Sequence, residues 1–417
     1  MPAGYSENMA KHAGIAALLV VSLAIRLLWG YVHGDVIDSR LPDQTEYFDL
    51  AQNFLNGQGL NFYDSRVEQV VYAYRMPGYP LFVALGRTVH GVQFHQAIID
   101  TSTVLATYLL ARRWLSKGTS LLAAAAVALN PFMVYFSALV LSETLYTAML
   151  MWGCVLLVWS PNFLWGGIVL ALSVLVRPSA VALPVILGVV SVFVNYTPGL
   201  IEGKRQWLRL PVGTSMVLLV VLVLLPWAIR NKMQLGRWVW LSTNGGVTRY
   251  DGFNPDASGA SDQRFLSSPQ MRFLRHMGEV ERDEYLSQQA NDWIRETWRH
   301  EPMRLLKLTG AKIGRTWSPV PLSAEYGAKR LYKLVAAAYS IPLLTLSVVG
   351  LWAARLPRSA RLFLLSPVLY FTMIHAVSVG SLRYRVPIEP LLAVLAAAGL
   401  MTILDRIRRR HSSGQAA

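Results

Sequence analysis

The chain carries a single cysteine, Cys154, in 417 residues. An internal disulfide and a cysteine metal site are thereby excluded, and Cys154 reads as a small packing residue. Its eight histidines are scattered without ligand spacing, so no metal motif is legible. A Gly-rich phosphate loop is absent too, so no nucleotide-binding domain is evident. Charge is scarce: 15% of residues are Asp, Glu, Lys or Arg, against 53% hydrophobic, and the mean hydropathy is +0.36. That composition does not fold as an ordinary water-soluble domain.

What the chain has instead is a succession of apolar runs long enough to cross a hydrocarbon core as helices. They predict an all-α polytopic membrane protein of about ten transmembrane helices, over 13–33, 94–111, 119–137, 141–159, 163–176, 178–195, 211–229, 332–354, 361–379 and 385–404. The first run is long, contains Arg26 and lacks a small-residue cleavage pattern, so it reads as a retained helix. The apolar stretch 79–90 is too short to span and reads as re-entrant or interfacial.

Basic residues set the orientation. With the N-terminus in the cytoplasm, four clusters fall inside: Arg112, Arg113 and Lys117; Lys204, Arg205 and Arg209; Arg355, Arg358 and Arg361; and Arg406, Arg408, Arg409 and Arg410. The expected organisation is a membrane module over 1–229 with its first outer loop at 34–93, a long outer segment over 230–331, membrane helices over 332–404, and a basic cytoplasmic tail over 405–417. Net charge is +15, but retention at the inner surface accounts for much of it and no nucleic-acid motif accompanies it.

In the first outer loop, 44–56 places Tyr47, Phe48, Leu50, Ala51, Phe54 and Leu55 at helical spacing, which predicts a short amphipathic helix. Asp43 lies at its start and has two readings. It is a helix cap stabilised by the free amides of the first turn, or a carboxylate fixed at the mouth of the bundle to take a proton from an acceptor hydroxyl. The second outer segment predicts amphipathic helices over 279–299 and 302–316, the latter setting Leu305, Leu306, Leu308, Ile313 and Trp317 against Arg304, Lys307, Lys312 and Arg315. That pattern fits a lipid surface or the solvated face of a small outer domain.

The remaining positive charge is on the outer side, where short-loop retention does not explain it. Arg26, Arg75, Arg177, Arg383 and Arg385 all fall in the outer half of the membrane or at its mouth, with Glu143 opening the fourth span. Intramembrane charges are expensive and usually face an interior cavity. Guanidinium groups bind phosphate as rigid forks, so this mouth suits a lipid-linked phosphate. For each arginine alone, a snorkelling or paired structural charge is the alternative.

Taken together, Asp43 with Glu46 and Tyr47 after the first helix, R-M-P-G-Y-P at 75–80, N-P at 130–131, L-S-E-T-L-Y at 141–146, R-P at 177–178, P-W-A-I-R-N at 226–231 and R-Y-R-V-P-I-E-P at 383–390 resemble the GT-C superfamily of integral-membrane glycosyltransferases. The resemblance runs over nearly the whole chain and is nearest to the bacterial branch of protein mannosyltransferase-like enzymes, lipid A aminoarabinose transferases and lipopolysaccharide galacturonosyltransferases. Many members continue into further helices or a soluble C-terminal domain; here the outer loops are left to read the acceptor.

The resemblance implies transfer of a sugar from a polyprenyl-phosphate donor to a glycan, lipid or protein acceptor at the outer face of the cytoplasmic membrane, with inversion. It implies Asp43 as general base and Glu46 beside it. Arg75, Arg383 and Arg385, joined by Arg177 or Arg26, would hold the donor phosphate. Tyr47, Tyr79 and Glu143 would orient acceptor or sugar. Some members are associated with a divalent metal near the lipid phosphate, which leaves room for Mg or Mn through Asp43 and a second carboxylate. A lipid-linked sugar flippase or other secondary transporter is the competing class, but no convincing internal repeat supports it.

Overall fold

The computed structural model describes residues 3–37, 41–160, 162–195, 205–322 and 329–414. Lys204, from the second basic cluster, lies outside them, as do the last three residues of the tail. The membrane part comprises α1 (Ala3–His33), α4 (Val89–Arg112), α5 (Lys117–Ala128), α6 (Pro131–Ser137), α7 (Glu143–Trp159), α8 (Phe163–Val174), α9 (Leu183–Asn195), α10 (Arg205–Leu235), α14 (Arg330–Ala353), α15 (Arg358–Ala376) and α16 (Glu389–Gly414). Between α1 and α4 come α2 (Pro42–Leu55), the strands β1 (Phe62–Asp64) and β2 (Gln69–Val71), and α3 (Gly78–Gly86). Between α10 and α14 come α11 (Gly245–Gly252), α12 (Glu279–His300) and α13 (Pro302–Thr316).

This is a polytopic helical membrane protein, but the expected ten spans become six among the described residues, or seven if α5 and α6 count as one broken span. Those two meet at 49°. Pro131 supplies no amide to continue α5, and the Asn130 side chain accepts from the amides of Phe132 and Met133 to start α6 afresh. Helices α7 and α8 are apolar but only 17 and 12 residues long. At 1.5 Å per residue they reach about 26 and 18 Å, short of a core about 30 Å thick. Helix α4 is long enough, yet buries Gln93, Gln96, Asp100 and three threonines against its neighbours. Among the described residues the fold is all-α as expected, apart from one small antiparallel hairpin, β1–β2, in which Phe62 opposes Val71 and Asp64 opposes Gln69.

Helices α14 and α16 cross in near backbone contact. A Cβ at Gly350 would lie 1.9 Å from the Leu395 carbonyl oxygen, and one at Gly399 would lie 2.2 Å from that of Leu346. Small residues let backbones approach where apolar burial gives no net driving force between helices.

The segment between α1 and α4 and the segment between α10 and α14 pack together. Leu50, Phe62, Val67, Val71 and Tyr74 from the first pack with Val247, Leu266, Leu274 and Leu286 from the second. Glu279, in the first turn of α12, accepts from the amides of Tyr72 and Ala73 at 2.7 and 2.8 Å and from the Thr243 hydroxyl at 2.5 Å. In α13, Leu305 and Leu308 bury against Phe253 and Ala290, while Met303, Leu306 and Ile313 stay exposed. Lys312 does not join the expected basic outer face: it is fully buried, its Nζ 3.3 Å from the centroid of the Phe253 ring.

Candidate active site

Helix α2 begins at Pro42, whose missing amide is harmless in a first turn, so Asp43 falls inside that turn rather than before it. No side chain caps this helix. Asp43 instead spends both oxygens on guanidinium groups: Oδ1 accepts from Arg75 Nη2 at 2.5 Å and Oδ2 from Arg383 Nη1 at 2.7 Å. The capping reading of Asp43 gives way to an ion-pair reading.

Each arginine has a second carboxylate partner, and the pattern extends both ways. Arg75 Nε donates to Glu46 Oε2 at 2.6 Å, one turn along α2 from Asp43. Arg66, from the hairpin turn, donates to Glu46 Oε1 at 2.6 Å and to both oxygens of Asp64 at 2.8 Å. On the other side Arg383 Nε pairs with Glu143 Oε1, which also accepts from Arg177 Nη2 at 2.8 Å. The row runs Arg66, Glu46, Arg75, Asp43, Arg383, Glu143, Arg177, with Asp64 beside Arg66. Four arginines face four carboxylates, so the fully ionised cluster is neutral.

Exposure singles out its centre. The Asp43 side chain is 23% accessible, whereas those of Glu46 and Glu143 are 7% and 0%. Burial pushes the Asp43 carboxyl up, but the Arg75 and Arg383 charges outweigh it and hold the group below the usual carboxylate range. Glu46 goes the other way: burial outweighs Arg75 and Arg66, and the neighbouring Asp43 charge adds to it.

Asp43, Arg75, Arg177 and Arg383 open onto a polar cavity of about 190 Å³, completed by Tyr47, Ser142, Ser179, Thr248, His375, Ser378 and Tyr384 among others. The rings of His375 and Tyr384 stack at 3.9 Å, nearly parallel. A second cavity, about 270 Å³ and mostly apolar, is lined by Trp29, Phe132, Tyr135, Phe136, Leu331, Tyr332 and Val335, together with Arg315 and Arg383. Arg383 is therefore common to both walls.

Six of the sequence candidates are thus brought together: Asp43, Glu46, Arg75, Glu143, Arg177 and Arg383. Tyr47 joins them, its ring under the Arg75 guanidinium at 5.3 Å. Tyr79 does not reach the cavity; it is fully buried behind Tyr47 and donates to Gln96 Oε1 at 3.0 Å.

Arg26 and Arg385 are also kept apart. Arg26 pairs with Asp100 at 2.5 Å and donates to the Ser22 hydroxyl and the carbonyls of Val127 and Ala128. Arg385 pairs with Glu389 at 2.9 Å and donates to the Ser318 carbonyl and the Ser340 hydroxyl. Both are fully buried with every side-chain nitrogen engaged, so neither presents a free fork to a phosphate. Arg66, His375, Thr248 and Ser378 were not singled out by sequence reasoning. Arg66 sits in a hairpin with no helical period, and the other three are ordinary residues until folding places them on one wall.

No protein-family model matches the sequence, and no curated protein matches it. Among solved structures the fold is similar to that of the archaeal oligosaccharyltransferase AglB from Archaeoglobus fulgidus. With that protein bound to an inhibitory peptide and a dolichol-phosphate, the match covers 99% of this chain and 52% of the other, with a TM-score of 0.55 and 14% identity. With an acceptor peptide containing the NVT sequon tethered by a disulfide, it covers 98% and 51%, with a TM-score of 0.56 and 15% identity. The apo form gives 98% and 52%, a TM-score of 0.52 and 15% identity. The chain spans about half the length of these solved structures, and at such identities the likeness is one of fold.

Proposed function

We propose that this protein is a glycosyltransferase of the GT-C type, moving a sugar from a polyprenyl-phosphate donor to an acceptor at the outer face of the cytoplasmic membrane, with both termini in the cytoplasm. The observation that carries the proposal is the position of Arg383, shared by an apolar groove and a polar, carboxylate-bearing cavity. An isoprenoid phosphate ester has the same division, a long apolar chain joined to a charged head. The shared fold with a solved oligosaccharyltransferase, whose structure was determined with a dolichol-phosphate, supports the reading. So do the basic clusters beside the short loops, which favour an outer site.

In the proposed reaction the acceptor hydroxyl oxygen attacks the anomeric carbon from the side opposite the phosphate. As that bond forms, the acceptor proton passes to Asp43. The bond from the anomeric carbon to the phosphate oxygen breaks, and its electron pair leaves on the phosphate. Arg383 and Arg75 balance the charge that grows there, a preorganised stabilisation that requires little reorganisation at the moment of reaction. One displacement inverts the anomeric centre. Glu143 and Glu46 act as positioning residues that hold the two arginines, and Arg177 and Arg66 hold the glutamates in turn.

A divalent ion is not fitted by the residues as they stand. Both Asp43 oxygens are committed to guanidinium groups, and among the described residues no three His, Cys, Asp or Glu side chains converge. The mechanism therefore routes no step through Mg or Mn.

The test uses the full chain in lipid with a panel of polyprenyl-phosphate sugars and a membrane extract as acceptor. Release of free polyprenyl phosphate is compared between wild type and Asp43→Asn. Release that collapses in the variant while lipid binding persists supports the assignment. Movement of the lipid-linked sugar across vesicles without cleavage would replace it with a flippase.

A further inference from the structure

The resting cluster poses a chemical difficulty for the function proposed above, on which this inference rests. A general base works best when its proton affinity is near that of its surroundings, and Asp43 is clamped by two guanidinium groups that suppress it. Those same two arginines are the ones a phosphate would need. They have no spare partner-free fork to offer, because Arg75 and Arg383 each already bridge two carboxylates.

We infer that donor binding and base activation are one event: the anionic phosphate takes over the Arg383 and Arg75 forks that face the cavity, and Asp43, losing them, is released as a base. The geometry favours Asp43 as the carboxylate that yields. It is the most accessible of the three that bridge arginines, and it stands between the only two of the cluster's arginines that share a carboxylate at the cavity wall. Glu46 and Glu143 are nearly or fully buried and keep Arg75 and Arg383 anchored while the exchange takes place. Charge balance points the same way. Four positive and four negative side chains are neutral together, so an added phosphodiester leaves one surplus negative charge, which raises the proton affinity of the Asp43 carboxylate until it takes the acceptor's proton.

A consequence is order. In the absence of donor the carboxylate is a poor base and does not activate water or acceptor; with donor in place it does. The charged and titratable groups around Asp43 are Glu46 and Tyr47 from α2, Arg75 from the segment after β2, Arg177 before α9, His375 from α15, and Arg383 and Tyr384 before α16. Of these only Arg75 and Arg383 touch its oxygens, so they alone are exchanged.

The test is a proton count. The full chain, in nanodiscs of zwitterionic phosphatidylcholine, is titrated with farnesyl methyl phosphodiester, which carries one negative charge and does not itself titrate over about pH 4 to 6. Calorimetry in buffers of different ionisation heat gives the protons taken up per probe bound. Wild type is expected to take up protons increasingly as the pH falls through that range. Loss of both guanidinium contacts should bring the Asp43 midpoint up from below the usual carboxylate range into that window.

Asp43→Asn should bind the probe with that uptake lost. In Arg383→Gln the uptake should shrink, because the resting carboxylate already lacks one counterion. Binding with the same proton count in wild type and Asp43→Asn would overturn the inference and leave the donor assignment standing. No binding by wild type would sink both. Should Asp43→Asn fail to fold, infrared difference spectra of wild type and Arg383→Gln read the same protonated-carboxyl band. A band that does not grow with probe counts against the exchange.

Discussion

Two kinds of arginine–carboxylate pair occur in this molecule, built from the same chemistry and placed differently. Arg26–Asp100 and Arg385–Glu389 are closed: both partners are at most 1% accessible, and each arginine nitrogen is engaged by a carboxylate, a hydroxyl or a carbonyl. The row through Asp43 is open: its arginines are 9–16% accessible, three of the four bridge two carboxylates, and several of them line a cavity. A closed arginine has no fork left for an incoming anion. An open, alternating row does, because any new anion can replace one of its own.

The largest effect expected from breaking this distinction is at Asp43. Asp43→Asn should lower the rate of polyprenyl-phosphate release by about 10²- to 10⁴-fold, the usual contribution of a general base, while the protein stays folded at the assay temperature. A variant that melts early and keeps its rate would move Asp43 into the closed class. Next come the closed pairs themselves. Arg26→Met or Arg385→Met should destabilise by about 3–5 kcal/mol, because each strands a buried carboxylate, and the double change Arg385→Met with Glu389→Leu should recover most of the loss. Unfolding followed in lipid or detergent reads both.

Arg383→Lys sharpens the open class. It keeps the charge and removes the fork, and the lost charge-assisted bonds, about 1.5–3 kcal/mol, should appear as a ten- to roughly hundredfold fall in kcat/KM for the donor.

The two carboxylates of α2 differ in sign with pH. Asp43 is held below its unfolded value, so the stability it contributes is present above about pH 4 and is lost as the pH falls further. Glu46 is held above its unfolded value, so its contribution is present at low pH and is lost as the pH rises through its folded midpoint. Melting temperature against pH in Asp43→Asn and Glu46→Gln should flatten opposite limbs of the profile. The smallest effect is at the surface. Arg237–Glu284, with both side chains more than 60% accessible, should contribute about 0–1 kcal/mol, and breaking it should leave transfer untouched.

Much of the helical framework is legible along the chain, because exclusion from water acts on runs of consecutive residues and leaves its mark there. The expected helices over 279–299 and 302–316 correspond to α12 and α13, and the interfacial stretch over 79–90 overlaps α3. Where the reading overshoots, the reason is geometric. A run such as 163–176 is apolar enough to span but is cut to 12 helical residues at Val174 before the Arg177–Pro178 step, since a residue preceding proline avoids helical backbone. The hairpin of β1 and β2 was invisible because three-residue strands carry too few positions for a period to register.

The arginines mark the boundary between the two sources of information. From composition and order alone, the chain determined that it is a polytopic helical membrane protein, and that carboxylates and arginines collect near the ends of several helices. Arg383 and Arg385 are indistinguishable at that level, two residues apart in one motif. Their fates diverge because the backbone there passes through two short 3-10 turns, Leu382–Tyr384 and Val386–Ile388. One guanidinium reaches Asp43 and Glu143, 340 and 240 residues away in sequence, and the other reaches Glu389 one helical turn on. Side-chain direction in such a turn, and the partner waiting there, are set by the packing of distant helices, which no local pattern encodes.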